Sequence, residues 1–269
     1  MDALVKLSAA GRPLGELLVW RGFGALPFLI LFTAANGGHA ALRPRSWRFV
    51  LGRGMILALG TLLFFWSLGR LSLATAYVTA FTAPLMLTAL AVGAGNERVG
   101  VRTWVGLSAG FTGVMVAAAP GGADLTGAAS LPGLAALVAT FLYALGLSLV
   151  RYGRGAAEAP GALVLGALLA TGTLGAALIV IDGGGMPKHA AADLVRLAAV
   201  AALAGASQIL VTLAFKRAAA SQLAPCEYLT LPLGAALGYL GWGDVPGPAT
   251  LAGTALVAAS VAWTSRRDV

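Results

Sequence analysis

Long stretches without a charged side chain dominate this sequence of 269 residues. Most of them reach the roughly 17 to 25 residues that a helix needs to cross about 30 Å of hydrocarbon. β-barrel strands are much shorter and alternate in polarity, so these stretches predict membrane-spanning helices. Charged residues make up only 10% of the chain, whereas a soluble domain usually carries about 25%. Charge-free stretches include Gly54–Gly69, Leu71–Asn96, Thr103–Ala123, Leu125–Val150, Ala159–Ile181, Leu197–Phe215, Tyr228–Gly243 and Val245–Ser265.

The basic residues indicate how these helices are oriented. The predicted spans are a partial one at Met1–Ala9, then Leu14–Ala35, Leu51–Gly69, Ala74–Gly95, Thr103–Ala119, Leu131–Val150, Gly161–Ile181, Leu197–Phe215, Ser221–Leu240 and Ala249–Thr264. Counted over alternate loops, twelve Lys and Arg residues fall on one side and four on the other. Because Lys and Arg are retained in the cytoplasm, we expect the first side and the C-terminus to be cytoplasmic, in a bacterial inner membrane.

Two parts of the chain align without a gap at a spacing of 147 residues. The segment Arg70–Ala117 falls on Arg217–Thr264, and each reads as an apolar helix, an acidic turn and a second apolar helix. The acidic turns coincide, since Glu97 aligns with Asp244. Such matching halves in a membrane protein are typical of transporters built from internal repeats.

The repeat predicts the architecture. We expect an all-α integral membrane protein made of two five-helix units, at residues 1–120 and 131–267. Because five is an odd number, the second unit is inverted relative to the first. The counterpart of the Leu131–Val150 span would begin before Met1. We therefore expect that most of the first helix is missing from the chain, either through an assigned start too far downstream or in a shortened form.

Prolines interrupt two spans that the repeat relates to each other. Pro84 lies in the middle of Ala74–Gly95, and Pro225 and Pro232 lie in Ser221–Leu240. Proline removes a backbone donor and kinks a helix, which leaves polar backbone to be satisfied by protein, water or a solute. Paired interruptions in corresponding helices predict a central binding site. The alternative is that these prolines only shape the packing.

Several segments, in their order and spacing, resemble the EamA family of the drug/metabolite transporter superfamily. They are DALVK at Asp2–Lys6, ELLVWR at Glu16–Arg21, the apolar stretch that ends at Glu97, and SQLAPCEYLTLPLGAALGYLGWGD at Ser221–Asp244. The resemblance implies ten helices, cytoplasmic termini and alternating-access movement of small metabolites. The LAPCEY segment further resembles bacterial members proposed to move riboflavin, S-adenosylmethionine or amino acids.

Two charged side chains inside predicted spans are candidate substrate-binding groups. Glu227 lies about 10 Å into its helix, where it would bind a cationic group of the solute or carry a proton. Alternatively, it forms a hydrogen bond to a neighbouring helix or reaches back to cytoplasmic water. Arg21 would recognise a carboxylate or phosphate from the outer side. Its alternative is a structural ion pair, in which Glu16 binds either Arg21 or Lys6.

Aromatic and polar residues at helical spacing predict the rest of a cavity. Aromatic faces suit a flat, amphipathic ligand such as a flavin or an adenosyl group. The same residue types also occur at lipid interfaces and in helix–helix hydrogen bonds. The candidates are Trp66, Tyr77, Phe81, Tyr143, Gln208, Thr212 and Tyr228.

Other classes of function find little support. The sequence contains no HExxH, CxxC or GxSxG motif, so neither catalytic residues nor a metal or cofactor site is predicted. With Cys226 as the only cysteine, no intramolecular disulfide can form. The net charge of +8 is spread over short loops, which argues against nucleic acid as a partner.

The expected partners are a small-molecule solute and the lipid bilayer. Whether the protein forms a homodimer is left open by the sequence. The leading hypothesis is a secondary transporter for a small organic metabolite. The alternative is a non-transporting membrane subunit, or a truncated paralogue, that acts with a partner protein.

Overall fold

The computed structural model describes residues 13–36, 38–95, 97–119, 130–184, 191–242, 245 and 247–265. Within these ranges the secondary structure is helical, with short 3-10 turns at Phe23–Ala25 and His39–Leu42. The α-helices are α1 Leu14–Gly22, α2 Leu26–Asn36, α3 Trp47–Leu68, α4 Leu73–Ala80, α5 Ala83–Gly93, α6 Val101–Ala118, α7 Leu131–Arg151, α8 Arg154–Ala157, α9 Pro160–Ile181, α10 Ala191–Arg217, α11 Ala220–Glu227, α12 Thr230–Trp242 and α13 Pro248–Ser265.

Seven helical segments of the described chain are long and apolar enough to cross a membrane. They agree with the predicted spans to within a few residues, and Pro248–Thr264 is a shorter apolar helix. The predicted partial span at Met1–Ala9 lies outside the described residues. The seven segments are Leu14–Asn36, Trp47–Leu68, Ala74–Gly93, Val101–Ala118, Leu131–Arg151, Pro160–Ile181 and Asp193–Arg217.

Three of the predicted spans are divided. Leu14–Ala35 contains the 3-10 turn Phe23–Ala25, and the two spans that contain the prolines, Ala74–Gly95 and Ser221–Leu240, are each divided into two α-helices. The turn at Phe81–Thr82 separates α4 from α5, and Tyr228–Leu229 separates α11 from α12. These breaks stand at the repeat spacing of 147 residues. Pro84 is the second residue of α5, where a missing N–H costs least. The break precedes Pro84 because the carbonyl that a proline leaves without a donor lies four residues earlier.

The chain forms two compact units, and each takes segments from both sequence repeats. The first unit contains the residues up to Leu62 together with Leu149–Arg217. The second contains Leu63–Ser148 and the residues from Ala218 onward. Two of the three boundaries therefore fall within α3 and α7, and the third follows the last residue of α10. Helices of one repeat pack against their counterparts in the other repeat, so the compact units differ from the repeats.

In the second unit, the repeat-related helices α6 and α13 pack in opposite directions. A methyl group added to Gly106 would lie 3.6 Å from the Ser260 carbonyl oxygen. One added to Gly113, two turns further along α6, would lie 2.8 Å from the carbonyl oxygen of Gly253. Contacts that move forward along α6 thus move backward along α13. This antiparallel packing is the inversion that an odd number of helices in each repeat predicts.

The first unit shows the same arrangement between α1 and α9. A methyl group on Gly15 would lie 2.8 Å from the Gly175 carbonyl oxygen, and one on Gly22 would lie 2.6 Å from that of Leu168. Small residues allow this approach, which in lipid replaces the hydrophobic effect as the basis of helix association. The adjacent core consists of Ala25, Leu29, Val164, Leu168 and Ile209.

A buried carboxylate connects the loops at one end of the first unit. The Glu158 carboxylate accepts hydrogen bonds from the backbone N–H of Arg45 at 2.8 Å and of Ser46 at 2.7 Å. These residues directly precede α3, so the carboxylate binds the electropositive start of that helix. The Lys216 ammonium donates to the carbonyl oxygens of Gly155 and Glu158, each at 2.6 Å.

Candidate functional site

The two helix breaks of the second unit bring a row of aromatic rings together. Phe81 follows the last residue of α4 and Tyr228 follows the last residue of α11. Their ring centroids lie 6.2 Å apart at an interplanar angle of 30°. Tyr77, one turn before Phe81, continues the row at 6.4 Å. Phe81 and Tyr228 are repeat-related residues in mutual contact, so a local two-fold axis that relates the two repeats would pass between them.

Tyr228 is the buried base of the row. Its side chain is fully buried, and its hydroxyl donates to the Leu107 carbonyl oxygen at 3.2 Å. The ring lies against Gly110, where an added methyl group would come within 2.7 Å of a ring carbon. A glycine is needed at that point of α6. The hydroxyl of Tyr228 therefore serves the packing of α6, while its ring supports Phe81.

Glu227 ends α11 beside this row. Its side chain is half-buried, and its Oε1 accepts a hydrogen bond from the Tyr143 hydroxyl at 3.4 Å. Tyr143 belongs to α7 and is 37% exposed. The repeat-related position is Ala80, so the carboxylate is present on one side of the local axis only. The site is thereby made asymmetric.

Hydroxyl groups satisfy part of the backbone at the first break. The Thr79 carbonyl oxygen accepts from the Thr82 hydroxyl at 2.6 Å and from the Thr140 hydroxyl of α7 at 3.4 Å. At the second break, the Thr230 hydroxyl donates to the Glu227 carbonyl oxygen at 2.7 Å. These bonds stabilise the broken ends of the helices.

Trp66 also belongs to the second unit, near the end of α3. The Arg70 guanidinium lies 4.1 Å from the centre of its ring and donates a hydrogen bond to the Trp66 carbonyl oxygen at 3.0 Å. One face of the indole is thus in a cation–π contact within the protein.

The other three candidates belong to the first unit. Gln208 is half-buried on α10. Thr212, one turn later, is fully buried, and among the described residues its hydroxyl has no hydrogen-bond partner. Arg21 is half-buried in the last turn of α1, and Glu16 is fully buried in the first turn. The ion pair predicted for Glu16 stays a prediction, and Lys6 lies outside the described residues.

A residue that the sequence reasoning missed is Glu97. Its carboxylate accepts hydrogen bonds from the backbone N–H of Ala220 at 2.7 Å and of Ser221 at 3.0 Å, at the start of α11. The signal was the acidic turn shared by both repeats, where Glu97 aligns with Asp244, but the alignment does not name a partner. Asp244 lies outside the described residues.

Comparison with known proteins finds similarity to one family of transporters. Residues 3–119 match the model of the EamA-like transporter family. The first part of this chain is therefore similar to the EamA-like transporter family. The matched range coincides with the first of the two repeats, and the family is part of the drug/metabolite transporter superfamily. The resemblance seen in the sequence is confirmed, and the match supports a multi-pass membrane transporter of that type.

Two relatives extend the similarity beyond the first repeat. A riboflavin transporter of Rhizobium johnstonii is 29% identical over 246 residues, which cover 91% of this chain and 77% of the relative. A riboflavin transporter of Vibrio cholerae serotype O1 is 26% identical over 243 residues, which cover 89% of this chain and 78% of the relative.

A solved crystal structure shows the same fold. It aligns with a TM-score of 0.81 at 21% identity, covering 98% of this chain and 92% of the other. The all-helical fold is confirmed by this likeness, and the antiparallel packing of α6 against α13 supports the inverted repeat.

Proposed function

We propose that this protein is a secondary transporter that moves a flat, amphipathic metabolite of the riboflavin class across the bacterial inner membrane by alternating access. The observation that carries the proposal is the row Tyr77–Phe81–Tyr228 beside the Glu227–Tyr143 pair, at the repeat-related helix breaks. Broken helices in corresponding positions of inverted repeats are typical of transporter binding sites.

The chemistry of the row fits a fused aromatic ring system. Tyr77 and Phe81 are half-buried, so each ring has a partly accessible surface against which a planar heterocycle would stack. The Glu227 carboxylate would accept a hydrogen bond from a ring N–H, as the imide of an isoalloxazine offers. Tyr143 would orient that carboxylate. S-Adenosylmethionine and amino acids present a cationic group, which would pair with Glu227 instead.

The two relatives named as riboflavin transporters support the flavin among these solutes. Each aligns with about nine-tenths of this chain, including the segment that carries Glu227 and Tyr228. The excess of Lys and Arg in alternate loops supports a cytoplasmic C-terminus.

The helix breaks supply the flexibility that alternating access needs. Phe81–Thr82 and Tyr228–Leu229 are turns between helices, and a turn absorbs backbone rotation with less loss of hydrogen bonding than a continuous helix. A half-helix such as α11 would then tilt together with the carboxylate at its end.

A ligand-stabilisation screen tests the proposed solute class. The purified protein would be melted with riboflavin, S-adenosylmethionine and a panel of amino acids. A ligand at about 100 times its dissociation constant stabilises the folded state by about 2.7 kcal/mol, so riboflavin should raise the melting temperature and the others should not. If an amino acid raised the melting temperature and riboflavin did not, the proposed solute would be that amino acid and not a flavin.

A further inference from the structure

The start of α11 lacks a side-chain cap of its own. Ala219 precedes the helix and its side chain has no acceptor atom, although the first N–H groups of a helix have no partner within it. Glu97 supplies both missing acceptors from the loop between α5 and α6. Its Oε1 lies 2.7 Å from the N of Ala220 and its Oε2 lies 3.0 Å from the N of Ser221. A carboxylate here also interacts favourably with the helix dipole.

Helix α11 is poorly suited to hold its position alone. It has eight residues, contains Pro225, and ends at the turn Tyr228–Leu229. A helix of this length is unstable in isolation, and the proline removes one of its internal hydrogen bonds. The position of its last residue, Glu227, therefore depends on contacts that α11 makes with the rest of the unit.

We propose that Glu97 is a positioning residue, which anchors the first turn of α11 so that Glu227 at its other end faces Tyr143. This inference rests on the proposed role of Glu227 in binding solute. The anchor comes from the first repeat and the helix from the second, so the acidic turn of one repeat sets the geometry of the binding group in the other. Seven residues, about 10 Å of helix, separate Ala220 from Glu227.

The chain contains a matched control. Glu158 binds the start of α3 through two backbone N–H groups at 2.7 and 2.8 Å. Helix α3 has 22 residues, belongs at this end to the first unit, and carries neither Glu227 nor the aromatic row. Glu158→Gln thus removes an equivalent cap without disturbing α11, whereas Glu97→Gln weakens the anchor of α11.

The first experiment needs no ligand. Cys226 is the only cysteine of the chain, is exposed, and adjoins Glu227 on α11. Its rate of reaction with a maleimide in detergent reports how firmly α11 is held. Loss of a helix cap should raise the rate about fivefold in Glu97→Gln, and Glu158→Gln should react at the wild-type rate. Equal rates in wild type and Glu97→Gln would overturn the inference.

The second experiment measures riboflavin binding. We expect Glu97→Gln to weaken binding about tenfold, which is 1.4 kcal/mol and within the range for a hydrogen bond to a charged group. Glu158→Gln should melt at a lower temperature but bind riboflavin as the wild type does. In a Glu227→Gln background, Glu97→Gln should add no further loss, because its effect acts through Glu227.

The two experiments distinguish failure of the proposed function from failure of the inference about Glu97. If the wild type does not bind riboflavin, the proposed function fails, and the Cys226 rates still decide whether Glu97 anchors α11. If Glu97→Gln does not fold, Glu97→Asp replaces it. Aspartate keeps the charge but is too short to reach both N–H groups, so it should also speed the reaction of Cys226. An additive loss in the double variant would show that Glu97 acts independently of Glu227 and would refute the inference.

Discussion

Replacing Gly113 with alanine tests the packing of α6 against α13. The added methyl group would lie 2.8 Å from the Gly253 carbonyl oxygen and 3.0 Å from a side-chain carbon of Val257. A carbon–oxygen contact normally stays at or beyond about 3.3 Å, so the two helices would have to separate by about 0.5 Å. Overpacking of this kind costs about 1–3 kcal/mol.

The control is Gly234→Ala in α12. A methyl group at Gly234 would meet no atom within 4 Å. Both substitutions gain the same preference of alanine over glycine in a helix, about 1 kcal/mol, so this gain cancels when the two variants are compared. The remaining difference is the cost of overpacking.

The assay is thermal unfolding of the purified protein in detergent. At about 2–4 °C per kcal/mol for a chain of this size, Gly113→Ala should melt several degrees below Gly234→Ala. If the two variants melt at the same temperature, the close antiparallel contact of α6 with α13 is wrong, and the argument for the inverted repeat loses its direct support.

The remaining predictions concern the site itself. Tyr228→Phe removes the donor to the buried Leu107 carbonyl oxygen and should lower the stability by about 1–3 kcal/mol. The same melting assay measures this loss. Unchanged stability would mean that this hydrogen bond does not stabilise the fold. Phe81→Ala should weaken riboflavin binding about tenfold by removing a stacking surface. Titration of flavin fluorescence measures this affinity. A variant that binds riboflavin like the wild type would exclude the aromatic row from the site. Tyr143→Phe should lower the affinity for riboflavin about fivefold, because it leaves the Glu227 carboxylate without an orienting hydroxyl. The melting temperature should stay within about 1 °C of wild type because Tyr143 is partly exposed. A loss of stability without a change in affinity would make Tyr143 a packing residue.

The helices themselves could be predicted from sequence, because lipid imposes one simple requirement. A backbone in hydrocarbon must satisfy its own hydrogen bonds, so apolar length translates directly into a helix. The prediction Thr103–Ala119 accordingly falls within two residues of α6, Val101–Ala118. The spacing of 147 residues likewise places the first and last residues of α6 on the first and last residues of α13.

The contacts between helices could not be predicted in the same way. The contact of Tyr228 with Gly110 and Leu107 depends on where α6 lies, which no local pattern records. Sequence reasoning assigned Tyr228 to a cavity by residue type, but its hydroxyl is used in packing. The hydrogen bond of Glu97 to Ala220 joins positions 123 apart in the chain, and only the fold reveals it.

The spacing of Trp66 and Arg70 in the sequence could have predicted their contact. Arg70 lies four residues after Trp66, in the turn that follows α3, and residues at about this spacing near a helix end can reach one another. From the sequence, Trp66 was a candidate for ligand stacking, with a position at the lipid interface as the alternative. The structure adds Arg70 as the partner on one face of its ring.

Uptake of riboflavin into vesicles that contain the purified protein tests the central claim most directly. The wild type should take up riboflavin with a rate that saturates, and Glu227→Gln should reduce the rate toward that of empty vesicles, while Glu158→Gln keeps it. If wild-type vesicles take up no more riboflavin than empty ones, or if Glu227→Gln transports it as the wild type does, the carboxylate and aromatic row at the helix breaks are not the site of riboflavin transport.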